Sequence, residues 1–210
     1  MYEKYIKRVL DILLSIFVGI IFLPFFIIIA ILVKIEDRGS IFYLGDRIGR
    51  NSKKYSMIKF RTMRENAPDI RNEDGSTYNS KTDPRVTKVG KILRETSIDE
   101  VPQIINVIKG EMSLLGPRAS TWDVLDSYQA DEIDKMKVRP GISGYTQAYY
   151  RNGLSVKEKR LKDAWYANNI SFLLDVKIFF KTILTVIKRE SVYTNESSSS
   201  NDYQRDRMDM

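Results

Sequence analysis

The sequence contains no cysteine and no histidine. The first absence excludes disulfides, thiolate metal sites and thiol nucleophiles. The second removes the commonest general base and the commonest transition-metal ligand. Catalysis, if there is any, falls to carboxylates, lysine, arginine, tyrosine or hydroxyl groups. A bound metal would be a hard cation held by oxygen, such as Mg²⁺. Zinc-finger, RNP-type and basic-helix patterns are also missing, so no nucleic acid partner is expected. The net charge of +7 is read instead as attraction to anionic lipid headgroups or phosphorylated ligands.

What is present is unevenly placed. At 210 residues the chain fits one modest domain plus appendages. Much of its apolar content lies in the first 33 residues and in a block from Ile170 to Ile187. Ile16 to Val33 is an uninterrupted apolar run of 18 residues containing Pro24. That length is near the lower limit for a helix crossing a roughly 30 Å hydrocarbon core. A secretory signal is one reading, but the run is long for one and no small-residue cleavage site follows. A simple spanning helix is a second. A re-entrant hairpin is a third, because Pro24 removes a backbone donor and basic residues flank both sides: Lys4, Lys7 and Arg8 before, Lys34 and Arg38 after. The positive-inside tendency then holds both ends in the cytoplasm.

Beyond the boundary near residue 35, Lys34–Gly49 reads as a turn-rich stretch with three glycines. Tyr55–Met63 suits a short strand or the approach to a helix. Glu65–Asp83 is polar and reads as a long loop, a candidate cover for an active site. Short helices are expected over Val86–Arg94 and Pro102–Lys109, the second ended by Gly110. A charged amphipathic helix is expected over Thr121–Lys137 and a polar one over Ser155–Asn168. Ile170–Lys188 combines an apolar face with lysines at its edges, as in a helix lying in a membrane interface; an ordinary core helix gives a similar pattern. After Ser191 the tail is poor in apolar residues and reads as disordered. No internal repeat occurs.

The chemistry concentrates in RETSIDEVPQIINVIKGEMSLLGPR, residues 94–118. It carries an adjacent carboxylate pair, Asp99-Glu100. The plain interpretation is a helix start, with Ser97 as N-cap and Glu100 closing a capping box. The surroundings favour a site. Lys59 and Arg61 flank Phe60, Arg94 precedes the acids, Arg118 follows Gly116-Pro117, and Arg139 precedes Pro140-Gly141. Arginines on glycine or proline turns offer rigid forks to phosphate, although any one of them is also compatible with solvated surface charge. This set suits phosphoryl transfer: a carboxylate nucleophile, with cations that neutralise phosphate oxygens. A carboxylate is ionised near neutral pH, so the missing histidine is no obstacle.

With these residues in view, the chain resembles the bacterial sugar transferases, in particular the small monotopic phosphoglycosyl transferases. The resemblance runs from Tyr2 to about Arg189. It rests on KFRTM (Lys59–Met63), DPRVTKVGKILRETSIDEVPQIINVIKGEMSLLGPR (Asp83–Arg118), VRPGISG (Val138–Gly144) and NISFLLDVKIFF (Asn169–Phe180), in this order behind an apolar N-terminal segment.

The resemblance implies a mainly α fold with little β. A re-entrant membrane helix (1–35) broken at Pro24 precedes a small cytoplasmic α/β-type catalytic domain (36–190) with amphipathic interfacial helices, and a disordered tail (191–210) follows. It implies transfer of a sugar 1-phosphate from a UDP-sugar to undecaprenyl phosphate with release of UMP, at the inner leaflet of the bacterial cytoplasmic membrane, as the first step of a lipid-linked glycan. Asp99 is then the nucleophile and a Mg²⁺ contact, Glu100 its supporting acid, and Arg118 a nucleotide-phosphate ligand. Lys59, Arg61, Arg94 and Arg139 are phosphate contacts.

The sequence departs from the family pattern at Leu23-Pro24, where Ser-Pro is common, at Ala119 after the GPR turn, and at YTQAYYRN (Tyr145–Asn152), where a tryptophan-alanine-glutamine segment is usual. A membrane-anchored Mg²⁺ phosphohydrolase and a non-enzymatic scaffold for anionic lipid are the competing readings.

Overall fold

The computed structural model describes residues 1–70, 78, 80, 82–150 and 153–187. A π-turn, Tyr2–Ile6, leads into the long helix α1, Lys7–Asp37. At 1.5 Å per residue α1 is about 45 Å long. It continues through Pro24 as one helix, so the expected break there is not a helix end. Its residues divide by face. Lys7, Asp11, Ser15, Ile29 and Val33 are buried, and Gly19, Phe22 and Phe26 are partly buried along the same stripe. Steps of three or four residues keep this stripe on one side. The other side leaves Phe17, Ile20, Leu23, Phe25, Ile27, Ile28 and Ile31 exposed.

The body opens with an antiparallel hairpin, β1 (Phe42–Ile48) and β2 (Lys54–Phe60), in register from Phe42↔Phe60 to Ile48↔Lys54. Five residues connect the strands; Asn51 and Ser52 at the tip both have positive φ, and the Lys53 amide donates to the Arg50 carbonyl across them, as at the centre of a type I′ turn. The turn-rich expectation for Lys34–Gly49 therefore missed β1. Its glycines suggested loops, but the strand is held by its partner rather than by its own propensity. Helices α2 (Lys88–Glu95, capped by Thr87) and α3 (Ile104–Lys109) follow, joined by a 3₁₀ turn over Ile98–Gln103. Next come β3 (Ser113–Leu115), β4 (Gly141–Ser143) and α4 (Tyr145–Tyr149). The chain closes with α5 (Val156–Asn168), started by a full Ser155/Glu158 capping box, and α6 (Phe172–Ile187).

The helix expected over Thr121–Lys137 is not formed. Two 3₁₀ turns, Trp122–Ser127 and Ile133–Lys137, stand in its place. Tertiary contacts override the pattern. Tyr128 is extended, its ring lies 4.0 Å from the Arg160 guanidinium and its hydroxyl bonds Ser120. Glu132 turns inward to accept from Gln129 and to pair with Arg160.

Three apolar clusters hold the layers. Phe60, Leu93, Ile29 and Val33 join the hairpin and α2 to α1, with Phe26 and Phe42 against them. Tyr55, Met57, Val107 and Met112 join β2 to α3. Ala148, Tyr166 and Ile178 join the last three helices. Each fully buried side chain of this size contributes about 1.5–3 kcal/mol. Polar groups supplement them at α1. Asp11 accepts from the Ser113 hydroxyl and the Leu114 amide. Asp175 on α6 accepts from Lys7, Tyr2 and Tyr166. Glu36 accepts from the Lys88 and Val89 amides at the start of α2. Asp37 takes the Arg61 guanidinium in a two-point pair.

The GPR and RPGISG segments meet backbone to backbone. The Gly116 amide donates to Ser143, the Gly141 amide to Pro117 and the Ser113 amide to Pro140, each at 2.9 Å. A Cβ on Gly144 would lie 1.9 Å from the Gly116 carbonyl oxygen, and one on Gly141 would lie 2.1 Å from the Gly116 nitrogen. Neither neighbour is a flexible side chain. Gly144→Ala is therefore expected to cost about 3 kcal/mol, read as a clear fall in Tm of the detergent-solubilised protein. Gly19→Ala meets only the mobile end of Ile104 at 3.2 Å and should leave Tm within a degree or two. Equal shifts would contradict this account of the seam.

Candidate active site

The acid pair sits on the 3₁₀ turn between α2 and α3. The capping box open to Ser97 and Glu100 is not made. Ser97 is left-handed (φ 57) and caps nothing with its side chain. Glu100 instead takes Lys59, whose Nζ lies 2.5 Å from Oε1. The reason Lys59 is there begins at Asn106, which is 0% exposed. Its Oδ1 accepts from the Ile58 amide at 3.0 Å and its Nδ2 donates to the Ser56 carbonyl at 2.8 Å. This side chain completes the free edge of β2 and locks the start of α3 against it. Lys59, one residue on, is thereby held beside the turn that carries Glu100.

The two neighbouring carboxylates differ electrostatically. Burial opposes ionisation of Glu100, but Lys59 and Arg118 outweigh it and hold Glu100 below the usual carboxylate range. Asp99 goes the other way. Burial, only partly offset by Lys59 and reinforced by the Glu100 charge, pushes it up to about 6. Arg94 acts on Asp99 in the same sense as Lys59. Its Nε donates to the Thr62 hydroxyl at 2.9 Å, which ties α2 to the end of β2. No ion pair to Asp99 occurs among the described residues. One acid is thus neutralised by a lysine, while the other has no ion pair among the described residues.

Of the basic residues singled out in the sequence, Lys59, Arg94 and Arg118 gather around the pair. Arg61 and Arg139 do not. Arg61 is buried and committed to Asp37, Ser40 and Met63. It fastens the end of α1 to the residue after β2. Arg139 gives its Nε to the Gly110 carbonyl at 2.8 Å, at the far end of α3 from the acids. Glu65–Asp83, read as a cover, falls partly outside the described residues (71–77, 79 and 81), and the tail after residue 187 and Arg151-Asn152 lie outside them entirely.

Sequence reasoning missed Asp163. It is 1% exposed on α5 and accepts from the Arg118 amide at 3.1 Å and the Thr146 hydroxyl at 2.8 Å. Lys135 lies 3.2 Å away and also donates to the Arg118 carbonyl. This buried pair grips both sides of the Arg118 backbone, leaving the exposed Arg118 side chain to face outward. Nothing in KDAW distinguishes Asp163 from a solvated helix residue, so no local signal could have found it.

Among the described residues no group of three His, Cys, Asp or Glu side chains is placed to hold a metal ion. Asp99 and Glu100 are two adjacent carboxylates with one already paired. That donor set is incomplete alone and complete only with oxygens from a ligand.

Asp163→Ala leaves Lys135 buried without its counter-charge and frees the Arg118 turn. It is expected to cost about 3–5 kcal/mol. Asp163→Asn, which keeps an acceptor, should cost less. Chemical unfolding of the two variants checks the order; an Ala variant as stable as wild type would remove Asp163 from this role.

Comparisons with known proteins meet this geometry. The bacterial sugar transferase family model matches residues 2–189. The exopolysaccharide production protein ExoY of Rhizobium meliloti is 38% identical, over 89% of this chain and 88% of its own length. The undecaprenyl-phosphate galactose phosphotransferase of Salmonella typhimurium is 36% identical, over 91% of this chain and 42% of its own. The UDP-N-acetylgalactosamine-undecaprenyl-phosphate N-acetylgalactosaminephosphotransferase of Aeromonas hydrophila is 36% identical, over 87% and 44%. The chain spans less than half the length of these two phosphotransferases and most of ExoY.

Proposed function

The chain belongs to the bacterial sugar transferase family, and we propose that it transfers a sugar 1-phosphate from a UDP-sugar to undecaprenyl phosphate, releasing UMP and beginning a lipid-linked glycan. The observation that carries this reading is the division of labour between the two acids: Glu100 held by Lys59, Asp99 without an ion pair among cations. The phosphotransferase names of the relatives support the lipid acceptor and the phosphosugar.

In the first step an Asp99 carboxylate oxygen attacks the sugar-proximal phosphorus. A bond forms between that oxygen and phosphorus, the bond to the bridging oxygen breaks, and UMP leaves with the electron pair. The product is an acyl phosphate, a mixed anhydride of Asp99 with the sugar phosphate. In the second step a phosphate oxygen of the lipid attacks the same phosphorus and releases Asp99, giving the lipid diphosphate sugar. One phosphoanhydride is exchanged for another, so no ATP is needed. Lys59 and Arg94 screen the approach of one anion to another, and Arg118 offers its guanidinium to the leaving nucleotide phosphate.

Mg²⁺ belongs to the proposal. Asp99 and Glu100 fit a cation that takes one or two carboxylates and completes its shell with substrate phosphate and water. When bound, it would neutralise charge on the phosphate oxygens.

For the membrane, we infer that α1 enters and leaves by the cytoplasmic face, bending at Pro24. Its start and its end are both tied to the same catalytic body, through Lys7 and Asp11 on one side and Glu36 and Asp37 on the other. A helix crossing the bilayer once would separate them. The outward face of α6, with Phe172, Leu173, Phe179, Phe180 and Leu184 exposed beside Lys177 and Lys181, suits the interface. Its polar residues Asp175 and Thr185 face inward.

Purified protein with Mg²⁺ and a panel of UDP-sugars is expected to release UMP, with turnover only when undecaprenyl phosphate is added. Asp99→Asn should lose at least about 10³-fold in rate, and Lys59→Met about 10²-fold. Lipid-independent turnover would favour a hydrolase, and an active Asp99→Asn would end the covalent mechanism.

The raised Asp99 sets a pH dependence for the protein before any cation binds. Its carboxylate should ionise through about pH 6, seen in infrared difference titration of the metal-free protein as a carboxyl band that Asp99→Asn removes. Bound Mg²⁺ would favour the ionised form and move the midpoint towards acid. A carboxylate already fully ionised at pH 5 without metal would contradict the assignment.

A further inference from the structure

A second cationic site lies away from the acid pair, at the foot of α1. Arg8, Arg50 and Arg139 line one shallow open cleft, with Glu3, Asp11 and Ile170 at its sides. They arrive from α1, the hairpin tip and the strand-leading VRPG turn, over 130 residues apart in sequence. None forms an ion pair with a carboxylate among the described residues. Their partners are backbone carbonyls. Arg8 donates to Val107 and Ile108, Arg139 to Gly110 and Arg50 to Lys137.

Part of this is helix capping: cations near the last carbonyls of α3 complement its dipole. Capping does not use up the donors. A guanidinium carries five N–H groups. Arg139 and Arg50 each spend only Nε, leaving both terminal nitrogens. Nor does capping explain why three like charges converge. Burial and the charges of Arg8 and Arg50 push Arg139 below the ordinary arginine range, against the opposing pull of Asp11 and Glu3; the three arginines outnumber these two acids of the cleft, which leaves positive charge for an anion to match. Lys7, which also lines the cleft, is already neutralised by Asp175 at 2.8 Å.

We propose that Arg8, Arg50 and Arg139 form a second phosphate-binding site, which takes the phosphate ester of an anionic lipid headgroup and seats the foot of α1 on the membrane surface. Planar forks with free terminal nitrogens match phosphate oxygens. The lipid source is favoured by what borders the cleft. The exposed apolar residues of α1 begin beside Arg8, at Val9, Leu10 and Leu13. The exposed apolar face of α6 begins beside Ile170, at Phe172 and Leu173, and Tyr2 packs edge-on against Phe172 at 5.8 Å. A headgroup phosphate in the cleft would have its acyl chains lying along these two faces. The site is independent of the acid pair and does not rest on the transferase reading.

The test is calorimetric titration of the full chain in a neutral maltoside detergent, with short-chain phosphatidylglycerol, short-chain phosphatidylcholine and inorganic phosphate as probes. Saturable binding of phosphatidylglycerol over phosphatidylcholine is expected. It should weaken at least about tenfold in Arg50→Gln/Arg139→Gln, and stay within about twofold in Lys88→Gln/Lys91→Gln, which has the same net charge, and in Asp99→Asn. Arg50→Gln alone, at an exposed side chain with one hydrogen bond, guards against misfolding and should weaken binding about threefold. Inorganic phosphate binding as tightly as the lipid, with the same arginine dependence, would keep the anion site and overturn the lipid source. Equal binding by wild type and the double variant would overturn the site itself.

Discussion

A helix that is apolar around most of its surface has to be held to a charged body by more than that surface. In this chain carboxylates fix its two ends, beside the apolar contacts of Ile29 and Val33 with Phe60 and Leu93. Asp11 near the start of α1 reaches the hydroxyl and amide of β3. Glu36 near its end caps α2, and Asp37 grips Arg61. Asp175, on α6, gathers Lys7, Tyr2 and Tyr166 around the same root. Buried charges of this kind are weak evidence for stability but strong devices for geometry, since an unpaired partner is costly. They orient α1 along one stripe and leave the opposite face exposed. The positions of the hairpin, α2 and β3 all follow from this attachment, because each carries one of its anchors.

The acid pair inherits that framework. Arg61, spent on Asp37, fixes the end of β2, and Asn106 fixes its free edge. Between these two constraints Lys59 has one place to go, beside Glu100. The result is a familiar electrostatic device built without histidine: adjacent titratable groups whose surroundings push them in opposite directions. Glu100 is held ionised by a lysine and an arginine. Asp99 is left as the acid that desolvation has made more basic, raised to about 6. The glycine seam between residues 116 and 144 plays the corresponding part for Arg118, assisted by Asp163 and Lys135 from behind.

Much of this was legible in the chain. The apolar run, the acid pair, the basic residues on glycine and proline turns and the boundaries of α2, α5 and α6 all have local causes: periodicity, caps and turn chemistry. An acid at Asp11, inside an apolar helix, was itself a signal that a buried partner existed, although not which one. The failures also have physical reasons. β1 was hidden because a strand paired on one side needs little propensity of its own. The segment 121–137 has helical periodicity, but Tyr128 and Glu132 gain more from Arg160 than a helix returns. Ser97 and Glu100 spell a capping box, yet a lysine from another strand competes successfully for the glutamate.

Arg61 and Arg139 draw the line most clearly. Both stand in motifs beside the residues of the acid site, and both have the right chemistry for phosphate. Which of the five basic candidates serve the acid pair depends on the path of the backbone through space. The sequence by itself determined the kind of chemistry available, oxygen nucleophile, guanidinium and ammonium donors, no imidazole or thiol, because those are properties of side chains. It also determined where an apolar helix would lie, because that is a property of adjacent residues. Only the tertiary structure decided which charges neutralise one another. That choice is made by separations of 2.5 and 2.8 Å between residues as far apart in the chain as Lys59 and Glu100, or Lys7 and Asp175, and Coulomb interactions in a partly buried setting respond steeply to separation and burial.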